Sequence, residues 1–134
     1  MLTKNTKFLI IDDLQTIRRL LRTSLTELGF KNIVDAPDGL EAWNLLNKDG
    51  NITAKVDFVI ADFNMPRLNG LDLLERIRGT SWGKNMPVII LTSERDRELV
   101  SASIIAGVSQ YIIKPYTGEI LVTKINEAWK KHNP

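Results

Sequence analysis

The chain reads as five short apolar runs separated by stretches with the period of a helix. The runs Phe8 to Ile11, Ile33 to Ala36, Phe58 to Ala61, Val88 to Leu91 and Tyr111 to Ile113 are rich in branched residues and phenylalanine and have the length of strands. Most are apolar throughout instead of alternating, so both faces must be covered, as in a parallel sheet held between layers of helix. Gln15 to Leu28 places Ile17, Leu20, Leu21, Ser24, Leu25 and Leu28 on one stripe, with Arg18, Arg19 and Arg22 toward water and Gly29 to end the helix. A short second helix starts after Pro37, where Asp38 and Glu41 have capping-box spacing ahead of Ala42, Trp43 and Leu46. A third covers Leu71 to Arg78, and a fourth runs from near Ser93 to Gly107. A fifth follows Thr117, with Leu121, Ile125, Ala128 and Trp129 facing inward. The predicted order is βα five times, an α/β fold with a doubly wound parallel sheet.

Composition narrows this picture by exclusion. The 134 residues suit one domain, and with 43% hydrophobic and 25% charged residues they give no case for disorder or a fibrous repeat. Stretches 48–55 and 79–87 read as polar surface loops, and no linker divides the chain, so a single domain over 1–134 without an attached output domain is expected. Eighteen basic against sixteen acidic residues leave a net charge of +2, too little to argue for nucleic acid or anionic lipid. Cysteine is absent, which removes disulfides, thiolate metal sites and cysteine nucleophiles. No apolar run approaches the roughly 20 residues of a membrane span, and the amino terminus lacks a secretory core, so a cytoplasmic protein without membrane insertion is expected.

Candidate chemistry lies where the strands end. Asp12 and Asp13 follow the first run, Asp62 the third, Thr92 ends the fourth and Lys114 follows the fifth. In doubly wound sheets ligands sit outside the carboxyl ends of the strands, where the winding reverses. If the strand order is 2-1-3-4-5, the first and third strands are neighbours and the three aspartates share one crevice. Such a cluster needs a compensating cation. Oxygen ligands without His or Cys favour Mg²⁺, with Mn²⁺ possible, over zinc. Metal, Lys114 and the Thr92 hydroxyl converging on a carboxylate could hold a phosphoryl group while an Asp oxygen attacks phosphorus, giving an aspartyl phosphate.

Four stretches carry a resemblance: FLIIDD (Phe8 to Asp13), ADFNMPRLNG (Ala61 to Gly70), VIILTSE (Val88 to Glu94) and YIIKP (Tyr111 to Pro115). In this order, over nearly the whole chain, they resemble a response-regulator receiver domain, closest to the single-domain chemotaxis members, the CheY-like type. The resemblance, not the pattern of the chain, implies the flavodoxin-like strand order 2-1-3-4-5. It also implies that Asp62 is the phosphoacceptor, and that Asp13, Asp62 and the Asn64 backbone carbonyl bind Mg²⁺ directly while Asp12 acts through water. Lys114, before a cis peptide to Pro115, would contact the phosphoryl group. Thr92 and Tyr111 would form the switch, and Asn64 and Glu94 would tune dephosphorylation.

The implied function is a two-component signalling switch, not a turnover enzyme, phosphorylated by a histidine kinase of the chemotaxis type. It would act through the fourth helix, fifth strand and fifth helix on a flagellar motor switch protein, as a monomer and with a phosphatase as a further partner. An alternative is a phosphorelay carrier that passes its phosphoryl group to a histidine phosphotransfer domain. A Mg-dependent aspartyl-phosphate phosphatase fits less well, because its nucleophile motif is Asp-x-Asp on the first strand and here the aspartates are adjacent. A flavin binder fits poorly too, since the DDLQ loop would repel a phosphate. Phe63 stands where the family commonly has Trp, and Ser93 replaces a usual Ala.

Taken singly, each residue also has an ordinary explanation. An acidic pair after a strand is most often a cap or turn, a strand-end Thr reflects β propensity, and Tyr111 alone would be a core aromatic. Trp43 and Trp129 read as packing residues, Trp82 has no assigned role, His132 is expected to be solvated, and Arg95 to Glu98 read as an exposed helical face.

Overall fold

The computed structural model describes residues 2–47, 55–93 and 97–134. Five parallel strands, β1 (Lys7–Ile11), β2 (Asn32–Ala36), β3 (Phe58–Asp62), β4 (Val88–Thr92) and β5 (Gln110–Ile113), form one sheet in the order β2-β1-β3-β4-β5. They alternate with α1 (Gln15–Glu27), α2 (Gly39–Leu46), α3 (Gly70–Arg78), α4 (Arg97–Ile105) and α5 (Gly118–His132). The expected order is found, and every predicted element is present within a few residues of its predicted ends. The loop expected at 48–55 lies, except for Lys55, outside the described residues.

The continuous apolar runs are explained by two cores, one on each face of the sheet. Leu9, Ile11, Val59, Ala61, Val88 and Ile90 face α2 and α3, meeting Ala42, Leu46, Leu73, Leu74 and Ile77. Phe8, Ile10, Phe58, Ile60, Ile89, Leu91 and Ile112 face α1 and α5, meeting Leu21, Leu25, Leu121, Ile125 and Ala128. Successive strand residues point to opposite faces, so the central strands β1, β3 and β4 are apolar at nearly every position to serve both layers, while the edge strand β2 carries exposed Asn32 and Asp35. Register runs Leu9 against Val34 and Val59, then Ile60 against Ile89, and Leu91 against Ile112. Helix starts follow their caps: Asp38 accepts from the Glu41 amide at 2.8 Å and Thr117 from the Ile120 amide at 3.1 Å.

Four expectations about surface residues are corrected. Leu20, assigned to the buried stripe of α1, is 63% exposed. Arg18, expected in water, has a side chain only 16% exposed, because its guanidinium is drawn to the Asp12 carbonyl and the Asp35 carboxylate. The 79–87 segment is not a simple polar loop: Gly83 and Met86 are buried, and Trp82 packs on the α2 and α3 core with its ring 6.2 Å from that of Trp43. His132 is not solvated in a tail. It ends α5 with Nε2 2.8 Å from the Ser109 hydroxyl.

The His132 contact has a defined polarity. Ser109 Oγ already accepts from the Val88 amide at 2.9 Å and from Arg78 at 3.2 Å, so its own proton goes to Nε2 of a neutral imidazole. Burial, then the charges of Arg78 and Lys131, hold the imidazole below its ordinary 6.5. A folded-state value below the unfolded one means that the unfolded chain binds more protons in that interval, so stability rises with pH across it. The His132 contribution is therefore complete above 6.5 and is lost as pH falls below it. Thermal midpoints measured between pH 8 and pH 5 should show this decline, with a shallower slope for His132→Gln.

Candidate functional site

The carboxyl ends of β1 and β3 lie side by side because the chain reverses its winding between them, and this places the acidic residues. Asp12 continues β1 by one residue, its amide donating to the Ala36 carbonyl at 3.3 Å. Its Oδ1 accepts the Leu14 amide at 2.9 Å, which shapes the turn into α1; Leu14 stands at the N-cap position of that helix, which has no side-chain cap. Asp62 is the last residue of β3, opposite Leu91, and the next amide, of Phe63, donates to the Leu91 carbonyl at 2.7 Å. One carboxylate oxygen from each of Asp12, Asp13 and Asp62 lies within 4.8 Å of the others. Asp12 and Asp62 are buried and Asp13 is exposed, so the cluster has two fixed walls and one side open to solvent.

Lys114 enters from β5. Its amide donates to the Thr92 carbonyl at 2.8 Å, and the following peptide bond to Pro115 is cis, as the resemblance implied. Its ammonium donates to Asp62 Oδ1 at 2.6 Å and lies 3.6 Å from Asp12 Oδ2. Three carboxylates and one ammonium leave an excess of negative charge in a half-buried pocket. Burial pushes Asp12 up, against the Leu14 hydrogen bond that lowers it, with Asp62 adding to the rise. Burial alone would lower Lys114, but the Asp62 hydrogen bond and the Asp62 and Asp12 charges outweigh it, and the net direction is upward. The lysine stays charged while the carboxylates repel one another. An all-oxygen donor set with surplus negative charge fits a small hard cation.

The other predicted residues surround this cluster to different degrees. Thr92 ends β4 at 3% exposure, and Tyr111 is half-buried in β5 opposite Ile90. Because Ile112 points to the α5 core, Tyr111 points to the other face. Asn64 is exposed in the β3–α3 loop, two residues beyond Asp62. Glu94 lies outside the described residues, as do Arg95 and Asp96.

Sequence reasoning missed three neighbours. Arg18 donates to the Asp12 carbonyl at 2.6 Å and to Asp35 at 3.2 Å, tying the acidic turn to β2. Arg67 pairs with Asp38 at 3.2 Å from the loop that follows Asp62. Tyr116 is half-buried beside Lys114 and Pro115, its hydroxyl pushed up by burial. An arginine on a polar helix face or in a loop carries no periodic signal that separates a tether from a solvated charge; only Tyr116, next to the KP motif, was locally detectable.

Among the described residues no helix is long and apolar enough to cross a membrane. Comparison with known proteins agrees with the geometry. The family model for the response regulator receiver domain matches residues 8–126. The chain is 41% identical to chemotaxis protein CheY-3 of Vibrio cholerae over 130 residues, 97% of this chain and 96% of that one. It is 40% identical to chemotaxis protein CheY1 of Helicobacter pylori over 119 residues, 89% of this chain and 93% of that one. Among solved structures, the chemotaxis response regulator CheY4 of Vibrio cholerae superposes with a TM-score of 0.81 at 28% identity, covering 92% of this chain and 98% of the other. A response regulator receiver domain protein from Clostridium thermocellum gives 0.83 at 29% identity, covering 96% and 97%. Sheet order, acidic cluster and sequence likeness thus converge, and the chain belongs to the response regulator receiver domain family.

Proposed function

We propose that this protein is a chemotaxis-type phosphorylation switch, in which Asp62 accepts a phosphoryl group from a histidine kinase. The observation that carries the reading is the Lys114 ammonium 2.6 Å from an Asp62 oxygen, within a group of three carboxylates. Asp62 is 8% exposed, open enough for a small phosphodonor group yet held by strand register. One of its oxygens attacks phosphorus. The bond from phosphorus to the donor imidazole nitrogen breaks, the electron pair stays on that nitrogen, and the nitrogen then takes up a proton from solvent. Lys114 moves from Asp62 to an oxygen of the transferred group, and the Thr92 hydroxyl donates to another.

Asp13, Asp62 and the Asn64 carbonyl would hold Mg²⁺, or Mn²⁺ in its place, with Asp12 bound through water. Opposite oxygens around Mg²⁺ are about 4.2 Å apart. A carboxylate group no wider than 4.8 Å suits two direct ligands and a third bridged by water. When bound, the cation neutralises charge gathering on the transferred oxygens. Asn64 and Glu94 would set how quickly water removes the phosphoryl group.

Drawing the Thr92 hydroxyl inward frees space on the face where Tyr111 lies, and the tyrosine ring moves into it. The face formed by α4, β5 and α5 then changes population between two existing conformers. The near-full-length likeness to CheY-3 and CheY1 favours a flagellar motor switch protein as the target over a histidine phosphotransfer domain.

Acetyl phosphate with Mg²⁺ should add one hydroxylamine-labile phosphoryl group by intact mass, and EDTA should prevent it. A beryllofluoride-loaded sample should bind a motor-switch peptide about 10-fold more tightly than the unloaded one. Failure to label would overturn the chemistry, and labelling without a gain in affinity would point to the phosphorelay carrier.

A further inference from the structure

Arg67 sits in an unusual backbone state with an unusual partner. Its φ is +70°, a region that favours glycine and asparagine. The Leu68 amide donates to the Pro66 carbonyl at 2.7 Å, closing a three-residue turn with Arg67 at its centre, a form that is rare and strained. Such a residue persists only where its surroundings over-determine it. Here the surroundings are α2. The Arg67 guanidinium donates to Asp38 Oδ2 at 3.2 Å, while Asp38 Oδ1 accepts the Glu41 amide at 2.8 Å. The Arg67 side chain is half exposed, but that of Asp38 is only 9% exposed, so the arginine binds a fixed acceptor and not a mobile surface charge.

The same loop is pressed against its neighbours at both ends. A Cβ on Gly39, the first residue of α2, would lie 2.1 Å from the Leu68 carbonyl oxygen. At the other end, the Gly70 amide donates to the Phe63 carbonyl at 2.9 Å, and a Cβ on Gly70 would lie 2.7 Å from the Asp62 carbonyl oxygen. Asn64 lies inside the segment these contacts enclose.

We propose that the Arg67–Asp38 ion pair is a positioning clamp, which holds the loop after Asp62 so that the acidic pocket binds its divalent cation tightly. This rests on the reading of Asp12, Asp13, Asp62 and the Asn64 carbonyl as the cation site. The clamp acts through geometry, and its sign separates it from a field effect. A positive charge near the pocket repels a cation and a negative one attracts it. By field alone, Arg67→Ala would tighten cation binding and Asp38→Asn would weaken it. By the clamp, both substitutions weaken it, because each removes one half of the same tether. Asn is a good helix cap, so Asp38→Asn leaves the start of α2 intact.

Calorimetric titration of the full chain with Mg²⁺ tests this. Both single variants should lose about 10-fold in affinity, as is usual for groups that orient metal ligands. The double variant should lose no more than either single one. Amide hydrogen exchange at Leu68 and Gly70 should accelerate about 10-fold in both, with thermal midpoints and exchange in β1 unchanged. Arg67→Lys, which keeps a tether of the same charge, should recover part of the affinity. Unchanged or tighter binding by Arg67→Ala, with the parent binding Mg²⁺ and Asp62→Asn failing to, would overturn the clamp and leave the cation site standing. A parent that binds no Mg²⁺ would overturn both.

Discussion

Asp62→Asn should take no phosphoryl group from acetyl phosphate in the presence of Mg²⁺, under conditions where the parent protein is labelled to a readily measured fraction. The amide has no ionised oxygen, so the anionic nucleophile is lost, and the variant also removes one of the three carboxylates gathered within 4.8 Å. Equal labelling of parent and variant by intact mass would reject Asp62 as the acceptor.

Lys114→Met separates the two roles of charge in the same pocket. The ammonium now offsets part of the carboxylate repulsion, lying 2.6 Å from Asp62 and 3.6 Å from Asp12. Without it the pocket is more negative, and Mg²⁺ should bind more tightly. Labelling should nevertheless slow by about 100-fold, because a donor aimed at the developing charge is gone. Tighter metal binding with slower chemistry is a combination that a merely misfolded pocket would not produce. A variant that weakened both together would argue that Lys114 only supports the fold.

A further large effect, on stability, is expected far from the acidic pocket, at the amino-terminal edge of the sheet. Arg78 closes α3 and sends its guanidinium inward. It donates to the carbonyls of Gly83 at 2.6 Å, Met86 at 2.7 Å and Gly107 at 2.9 Å, and to the Ser109 hydroxyl at 3.2 Å. Gly83, Met86 and Ser109 are buried; the Gly83 carbonyl also accepts from the Met86 amide at 3.3 Å and the Ser109 hydroxyl from the Val88 amide at 2.9 Å, so the Met86 carbonyl is the acceptor that depends most on the arginine. One side chain thereby joins α3, the turn into β4, the α4–β5 loop and the start of β5. Burial lowers the guanidinium from its ordinary value, but an arginine remains charged, and its donors are all directed at oxygen.

Arg78→Met preserves much of the volume and removes every donor. Each buried acceptor left without a partner costs about 1–3 kcal/mol, and partial access of water at the exposed Gly107 side reduces the sum. A total loss of about 3 kcal/mol, or about 10 °C in thermal midpoint, is expected. Arg78→Lys should recover little, since one ammonium cannot reach acceptors spread across two loops. A loss below 1 kcal/mol in denaturant titrations would show that water replaces these bonds without cost.

Much of the fold was legible from local pattern. Continuous apolar runs such as Phe8 to Ile11 announced strands covered on both sides, and capping residues such as Asp38 and Thr117 marked helix starts because their side chains act within a few residues of their own backbone. The acidic and basic groups at the strand ends were visible as residue types, and the joint motif identified the family. The exposure of Leu20 was not legible: a stripe predicts which residues share a face of α1 but not how far the sheet extends beneath it. His132 was misread for a related reason. A histidine near a basic carboxyl terminus looks solvated until β5 brings Ser109 beneath it.

The amino-acid sequence by itself therefore determined the βα alternation, most of the core and the set of reactive side chains. These follow from short-range periodicity, capping and residue chemistry, all of which operate within a few turns of chain. Only the tertiary structure decided that Asp12, Asp13, Asp62 and Lys114 meet, that Arg18 and Arg78 are tethers and not solvated charges, that Arg67 pairs with Asp38, and that His132 is held against Ser109. The reason is physical: an arginine or histidine reports its role only through the acceptor it reaches. Those acceptors are supplied by strand order and loop closure between segments tens of residues apart, where no local period carries information.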